Sequence, residues 1–377
     1  MSIEERFFSE FSYKPSMVIS VPGRTELCGN HTDHQSGKVI AAAIDKKITA
    51  AVSARDDSIC SLHTDMGSFT LDISDLDKKS DEAGTSAALV RGCARYLSER
   101  SLNIGGFDAV TESQIPIGGG LSSSAAFEVL ICRVFSRLYN ADSISPYTIA
   151  AASQYAESEY FGKPCGMMDQ AACAFGGVLL MDFDKSDSPE FIELKWPFKD
   201  RFSIYVINTG SSHANMTWAY AEITSDMLAV SKLLDADRLR HADEDFFRSK
   251  MDYLKSAVGE RAVMRAEHFY DEERRVDKMA EAIKNADAAA YADIMRQSAH
   301  SSETLLKNIF TPDQKDRSLE KGIAHAREYL DPIGGVARVH GGGFAGSMQA
   351  LVPAGADEGF VKHMESMFGS GSAIKVL

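Results

Sequence analysis

The chain has 377 residues, 44% hydrophobic, 25% charged and 9% aromatic, the composition of an ordinary folded protein, not of a disordered or fibrous one. Its formal charge of -14 argues against nucleic acid as a partner, because phosphodiester backbones are gripped by clustered cations, yet it leaves room for a local phosphate site. At roughly 100–200 residues per domain, this length predicts two domains.

The acidic start, MSIEERFFSEF, lacks the basic segment and apolar core of a signal peptide, and no run approaches the ~20 apolar residues of a membrane span. Cys28, Cys60, Cys93, Cys132, Cys165 and Cys173 form no CxxC pair and sit among small or apolar neighbours, as reduced thiols do. A cytoplasmic protein without a membrane partner is the expectation.

In chain order, Met17 to Val21 (MVISV) is an apolar run that Pro22-Gly23 should end, a strand entering a turn. KKITAAVSAR and SFTLDI read as further strands. Residues 85–100 carry helical periodicity with Thr85 as N-cap. GGFDAVTESQIP alternates as a strand should. SSSAAFEVLICRVFSRLY then runs on as a helix with Leu121, Phe127, Leu130, Ile131 and Val134 on its buried face, and 145–161 predicts another. Past Gly176-Gly177, GVLLMDF and FSIYVINT are strand-like, whereas 215–330 is mainly helical, its charge runs being solvated helix faces. VARVH, MQALVP and AIKVL are strands around a helix at 356–368. The sum is an α+β protein of two lobes.

Four polar or glycine-rich stretches interrupt this pattern. In PIGGGLSSSAA (116–126), glycines let backbone N–H groups approach an anion, a helix start adds unpaired N–H groups, and three serines supply hydroxyls. It is not a Walker A loop, because GxxxxGK[ST] occurs nowhere in the chain. HGGGFAGS (340–347) fits GxGxxG at Gly341, Gly343 and Gly346, but too little chain follows for a dinucleotide fold, so a close backbone turn is expected. In CGMMDQAACAFGG (165–177), Asp169 stands among apolar and small residues and must cap, pair or catalyse. GNHTDHQSG (29–37) crowds histidines, an aspartate and amides together. Taken alone, those residues leave a metal site, a polar-ligand site and a plain polar turn all open.

These pieces, in this order, resemble the GHMP family of small-molecule kinases and within it the galactokinases. VPGRTELCGNHTDHQSG is similar to the family's sugar-binding signature, PIGGGLSSSAA to its phosphate loop, CGMMDQ to its catalytic-aspartate motif and ARVHGGGFAGS to its third glycine motif. The resemblance implies a two-lobed α+β fold with an N-terminal domain over 1–180, a C-terminal domain over 181–377 and an active site in the cleft between them. It also implies ATP-dependent phosphorylation of galactose at its anomeric hydroxyl by a monomer or weak homo-oligomer.

Carried over residue by residue, the resemblance puts sugar contacts on Asn30, His31, Asp33 and Tyr220, the last within NTGSSHANMTWAY. Gly118, Gly119, Gly120, Leu121, Ser122, Ser123 and Ser124 would hold the triphosphate, Ser124 and Glu157 a Mg2+ ion. Asp169 would be the catalytic carboxylate and Arg24 its cationic partner. A pyranose ring answers the question of the polar turn, since its hydroxyls both donate and accept. One departure stands out: the family usually has glutamate where this chain has Asn30. An amide does not repel a C6 carboxylate, so galacturonate or another C6-modified galactose is the alternative substrate. A non-catalytic sugar- and ATP-binding sensor is the alternative of another class. The presence of Asp169, Arg24 and Glu157 counts against it.

Overall fold

The computed structural model describes residues 1–116, 118–185, 188–211, 217–311, 313 and 315–377. Residues 212–216 of NTGSSHANMTWAY and Ile117 of PIGGGLSSSAA therefore lie outside the described residues. The strands are β1 (Met17–Cys28), β2 (Lys38–Ala54), β3 (Ile59–Thr64), β4 (Gly67–Asp72), β5 (Phe107–Ser113), β6 (Val178–Asp182), β7 (Glu190–Leu194), β8 (Phe202–Asn208), β9 (Val336–Val339), β10 (Ser347–Pro353) and β11 (Ala373–Lys375). The helices are α1 (Ile3–Phe11), α2 (Ser86–Ser98), α3 (Ser123–Tyr139), α4 (Pro146–Tyr155), α5 (Met168–Phe175), α6 (Thr217–Leu233), α7 (Glu244–Ser249), α8 (Met251–Val258), α9 (Glu260–Lys284), α10 (Ala288–Ser301), α11 (Ser318–Leu330) and α12 (Asp357–Phe368). The fold is α+β, and the chain divides into two compact units.

The first unit comprises Met1–Arg24, Ala43–Ile117 and Leu121–Gly176. Its strands run in the order β4-β3-β5-β2, with β3 antiparallel to β4 and parallel to β5, and with Ile48–Ala54 of β2 antiparallel to β5. Helices α2, α3, α4 and α5 pack on one another. Helix α1 is closed by a capping box between Ser2 and Glu5, and it sets Ile3 and Phe7 against Ala51 and Val110.

The second unit comprises Thr25–Ala42, Gly118–Gly120 and Gly177–Leu377. It holds an antiparallel sheet in the order β11-β8-β10-β9. Helices α11 and α12 cover that sheet through a core that includes Ile207, Leu319, Ile323, Met348 and Phe360. A second core joins α6, α8 and α9 through Ile223, Met227, Leu254, Val263 and Phe269. Here Lys38–Ala42 of β2 pair with β6, and β6 with β7.

Two expected boundaries moved. Pro22-Gly23 does not turn the chain, because β1 continues to Cys28. Gly23 is instead a point of close approach: a Cβ there would sit 2.6 Å from the Leu121 carbonyl, to which the Arg24 N–H donates. The helix expected over 145–161 is α-helical only to Tyr155 and widens into a π-helical turn over Ala156–Phe161. Phe127, expected on the buried face of α3, is only half-buried, whereas Glu128 beside it is fully buried.

All six cysteines are free thiols. Among the described residues, no helix is long and apolar enough to cross a membrane.

Candidate active site

Arg24, near the end of β1, is 6% exposed, and Asp169 lies in the first turn of α5. The guanidinium grips the carboxylate as a fork: Nε donates to Oδ1 at 2.7 Å and Nη2 to Oδ2 at 2.9 Å. The Ser122 hydroxyl donates to the same Oδ2 at 2.5 Å. Burial pushes the Asp169 carboxyl up, but the Arg24 charge, its hydrogen bonds and Ser122 outweigh that effect and hold it below its ordinary value. Its side chain keeps 32% of its surface exposed, so an incoming group can reach a carboxylate that is already ionised.

A few residues away a second polar cluster forms. The Ser124 hydroxyl lies 2.9 Å from Glu128 Oε1 and 3.1 Å from Glu157 Oε1. Gln170 donates to Glu157 Oε2 at 2.7 Å and to Glu128 Oε2 at 3.2 Å, while the half-exposed Lys163 seats its ammonium 2.7 Å from Glu157 Oε1. Burial, and then the Glu157 charge, push the Glu128 carboxyl well above the usual range. Hard divalent cations take hydroxyl and carboxylate oxygens, and Ser124 with Glu157 offers that set. Lys163 shows Glu157 already balancing a positive charge.

The glycine run leads into α3 with left-handed backbone at Gly118 (φ 72°), Gly120 (φ 73°) and Ser122 (φ 59°). Ser122 stands at the N-cap position but makes no side-chain cap, its hydroxyl being spent on Asp169. The first amides of α3 therefore have no side-chain partner at the cap, the arrangement in which a helix start receives an anion. Leu121 is fully buried and serves through its carbonyl on Arg24, whereas Ser123 opens the helix half-buried.

In the second unit, the turn at 29–35 is tied down at almost every atom. Asn30 is fully buried: its Nδ2 donates to the Gly341 carbonyl at 2.7 Å and to Glu26 Oε2 at 3.2 Å, and its Oδ1 accepts from Asn308 Nδ2 at 3.0 Å. The carboxylate absent at position 30 thus exists four residues earlier, buried and paired with Arg338 at 3.2 Å. His31 has left-handed backbone (φ 62°). Its Nε2 reaches the Gly342 carbonyl at 3.0 Å, which can only accept, so Nδ1 carries the lone pair and accepts from His34 Nε2 at 3.3 Å. Gln35 then donates to His34 Nδ1 at 3.4 Å. Burial lowers His31 to about 4 and His34 to about 3, so both rings are neutral at neutral pH. Asp33 is half-buried and accepts from the His34 N–H at 2.9 Å. Tyr220 stacks on His31, with ring centroids 6.5 Å apart, and donates to the Gly343 carbonyl at 3.2 Å.

The third glycine stretch is therefore a row of carbonyls facing the polar turn, as a tight backbone approach rather than a dinucleotide loop. The strands on either side of it, β9 and β10, are antiparallel neighbours, not the parallel pair of a βαβ unit. A Cβ on Gly343, whose φ is 77°, would fall 2.2 Å from the Asn308 carbonyl.

Several neighbours of these groups escape the sequence reading: Glu26, Lys163, Glu128, Gln170, Asn308 and Arg338. Ser124 and Glu128 are four apart on α3, a spacing that does carry a signal, as does Gln170 beside Asp169. Asn308 and Arg338 lie about 280 and 310 residues from their partners, and nothing local marks them.

Residues 88–177 match the family described as GHMP kinases N terminal domain, and residues 5–54 match the galactokinase galactose-binding signature. A galactokinase of Streptomyces coelicolor is 30% identical over 378 residues, covering 98% of this chain and 93% of its own length. The galactokinase of Homo sapiens is 29% identical over 375 residues, covering 96% and 90%. Among solved structures, Lactococcus lactis galactokinase complexed with galactose shares the fold with a TM-score of 0.84 at 24% identity, over 99% of this chain and 96% of that one. Methanococcus jannaschii mevalonate kinase shares it at 0.65 and 18% identity, over 93% and 95%.

Proposed function

The chain belongs to the galactokinase family of GHMP kinases, and from that premise we propose how its residues transfer the γ-phosphoryl group of ATP to the C1 hydroxyl of galactose, giving galactose 1-phosphate and ADP. The observation that carries the reading is the Arg24–Asp169–Ser122 triad of contacts. Asp169 is kept ionised and reachable, as a group that takes a proton from a sugar hydroxyl must be. The oxygen so freed attacks the γ-phosphorus, and the bond to the β-γ bridging oxygen breaks to release ADP. Arg24 keeps Asp169 anionic and offsets charge on the transferring group.

The amides at the start of α3 and the hydroxyls of Ser123 and Ser124 receive the triphosphate, beside the backbone of Gly118, Gly119, Gly120, Leu121 and Ser122. Ser124 and Glu157 are the residues that would hold Mg2+, which when bound neutralises phosphate charge. Asn30, His31, Asp33 and Tyr220 form the sugar subsite. Within it, Asp33 accepts hydrogen bonds from sugar hydroxyls, while Asn30 ties the turn to Gly341, Glu26 and Asn308. Domains over 1–180 and 181–377 remain the proposed division.

The galacturonate alternative rests on the Asn30 amide, which does not repel a C6 carboxylate and would favour one by donating to it. Both of its N–H groups are already directed at Gly341 and Glu26, which supports galactose. A coupled ADP-release assay with Mg·ATP on galactose, galacturonate, glucose and N-acetylgalactosamine tests the reading. Turnover on galactose alone is expected. Turnover on galacturonate in its place overturns the substrate, and silence on all four points to the sensor.

A further inference from the structure

The turn that carries His31 and Asp33 is gripped from behind by one face of α9. Glu272 is fully buried, and its Oε1 accepts from the N–H of Gly29 at 3.2 Å, the N–H of Asn30 at 3.4 Å and the Ser298 hydroxyl at 2.7 Å. Its Oε2 accepts from Arg275 Nε at 2.6 Å. One turn earlier on the same helix face, His268 is also fully buried, and its Nε2 lies 2.9 Å from the Asn30 carbonyl. That carbonyl can only accept, so Nε2 carries the hydrogen and Nδ1 accepts from the Ser301 hydroxyl at 2.8 Å.

The peptide of Asn30 is thus held at both its N–H and its C=O by side chains some 240 residues away. The next residue, His31, has the left-handed backbone that a β-carbon disfavours. Such a conformation persists only where its surroundings enforce it. The two ends of the turn are closed as well: Thr32 donates to the Gly29 and Lys38 carbonyls, and Glu273 of α9 accepts from the Lys38 N–H at 2.5 Å.

We infer that His268 and Glu272 are positioning residues for galactose recognition, holding the Gly29–His31 backbone in the one shape that seats the His31 ring against Gly342 and His34 and presents Asp33 to the sugar. They touch no reacting atom. This rests on the assignment of the sugar subsite above, and it adds to that assignment the device that keeps the subsite preformed before sugar arrives.

The test pairs galactose binding by calorimetry, without nucleotide, with steady-state KM for each substrate. His268→Phe removes the donor to Asn30 and should raise the galactose Kd about tenfold while the KM for ATP stays within about twofold. His268→Gln, whose amide nitrogen can occupy the place of Nε2, should recover most of that loss. A merely structural residue would lower Tm and leave galactose affinity alone. Unchanged galactose affinity in His268→Phe, equal weakening of both substrates, or no recovery in His268→Gln overturns the inference. Should His268→Phe not fold, Ser301→Ala carries the test, since it removes only the hydroxyl that fixes the His268 tautomer. A rise in galactose Kd supports the inference and an unchanged value overturns it.

Amide hydrogen exchange separates this from an error in the sugar assignment. In Glu272→Gln the N–H groups of Gly29 and Asn30 should exchange faster whatever the ligand is, and unchanged protection there overturns the inference even if galactose binds.

Discussion

Around Asp169 the polar side chains hold one another. Arg24, Asp169 and Ser122 form one closed set of contacts, and Ser124, Glu128, Glu157, Gln170 and Lys163 form another, all within the first unit. Around the 29–35 turn, in the second unit, the backbone is the thing held. Its peptide groups are bonded by Glu272, His268, Thr32 and Glu273, and its side chains rest on the carbonyls of Gly341 and Gly342. Charge placement is tuned in the first region and shape in the second. Phosphoryl transfer asks for the former, because its barrier is lowered mainly by positioning and electrostatics. Discrimination among epimers asks for the latter, because a hydroxyl in the wrong place is rejected only by partners that cannot follow it.

The largest effect that separates the regions is expected from Asp169→Asn. Loss of the proton acceptor should cut kcat by roughly 10²–10⁴, while the galactose Kd measured by calorimetry stays within about threefold. Near-normal turnover in a folded sample would remove Asp169 from its role. A matching collapse of galactose affinity would show that the two regions do not divide the work in this way.

Next in size is Gly343→Ala. The added methyl group meets the Asn308 carbonyl in a backbone conformation that alanine disfavours, with strain of order 1–3 kcal/mol before any clash is relieved. Thermal melting should show the loss. The residual folded enzyme should bind galactose weakly with KM for ATP little changed, and an unaltered Tm would mean that the carbonyl row is not rigid.

Asn30→Glu sharpens the same contrast. Read from sequence, glutamate at this position spares galactose and disfavours galacturonate. In the structure it sets a second carboxylate against Glu26 and against the Gly341 carbonyl, both of which now receive hydrogen bonds from the Asn30 amide. A second buried carboxylate beside Glu26, with the neutral Asn308 amide as its donor and no cation of its own, is costly, so galactose affinity itself should fall several-fold or more. Calorimetry that finds galactose binding unchanged would return Asn30 to the role of a direct C6 reader.

The partners of Asn30 show where sequence stops being legible. The strands, the helices after Thr85 and Ser122, and the glycine-serine turn that leads into α3 follow from periodicity, capping residues and glycine content, all local signals. The pairing of Arg24 with Asp169 has no local signal, since 145 residues separate them, and only the family resemblance implies it. Glu26 lies within VPGRTELCGNH, yet its spacing from Asn30 across a strand end gives no hint that amide and carboxylate face each other. The charge pattern of α9 predicts a solvated face, and its outer residues form one. But Arg265, His268, Glu272, Glu273 and Arg275 are buried. A charged helix whose inner face serves a remote turn looks, in sequence, like a helix with no inner face. Only the tertiary partners distinguish the two.

The smallest expected effect is one of pH, and it also divides the regions. An imidazole with an ordinary value of 6.5 that is held near 4 at His31 and near 3 at His34 refuses protons that the unfolded chain accepts. Stability therefore falls as pH drops through 6.5 toward 4, and the histidine contribution to the loss ends near 3. His268, also lowered by burial, acts in the same direction. Glu273, raised to about 7, acts in the opposite one, gaining its proton in the folded state first as pH falls. Asp169 lies below its ordinary 3.8, so its contribution is complete above that value and is lost only at more acid pH. Between pH 6.5 and 4, the difference in Tm slope between wild type and His34→Gln should thus report the turn and not the surroundings of Asp169, with the variant flatter by a few degrees over the interval. Parallel slopes would mean that His34 is solvated in the folded protein, and that the relay from Gln35 through His34 to His31 does not hold the turn.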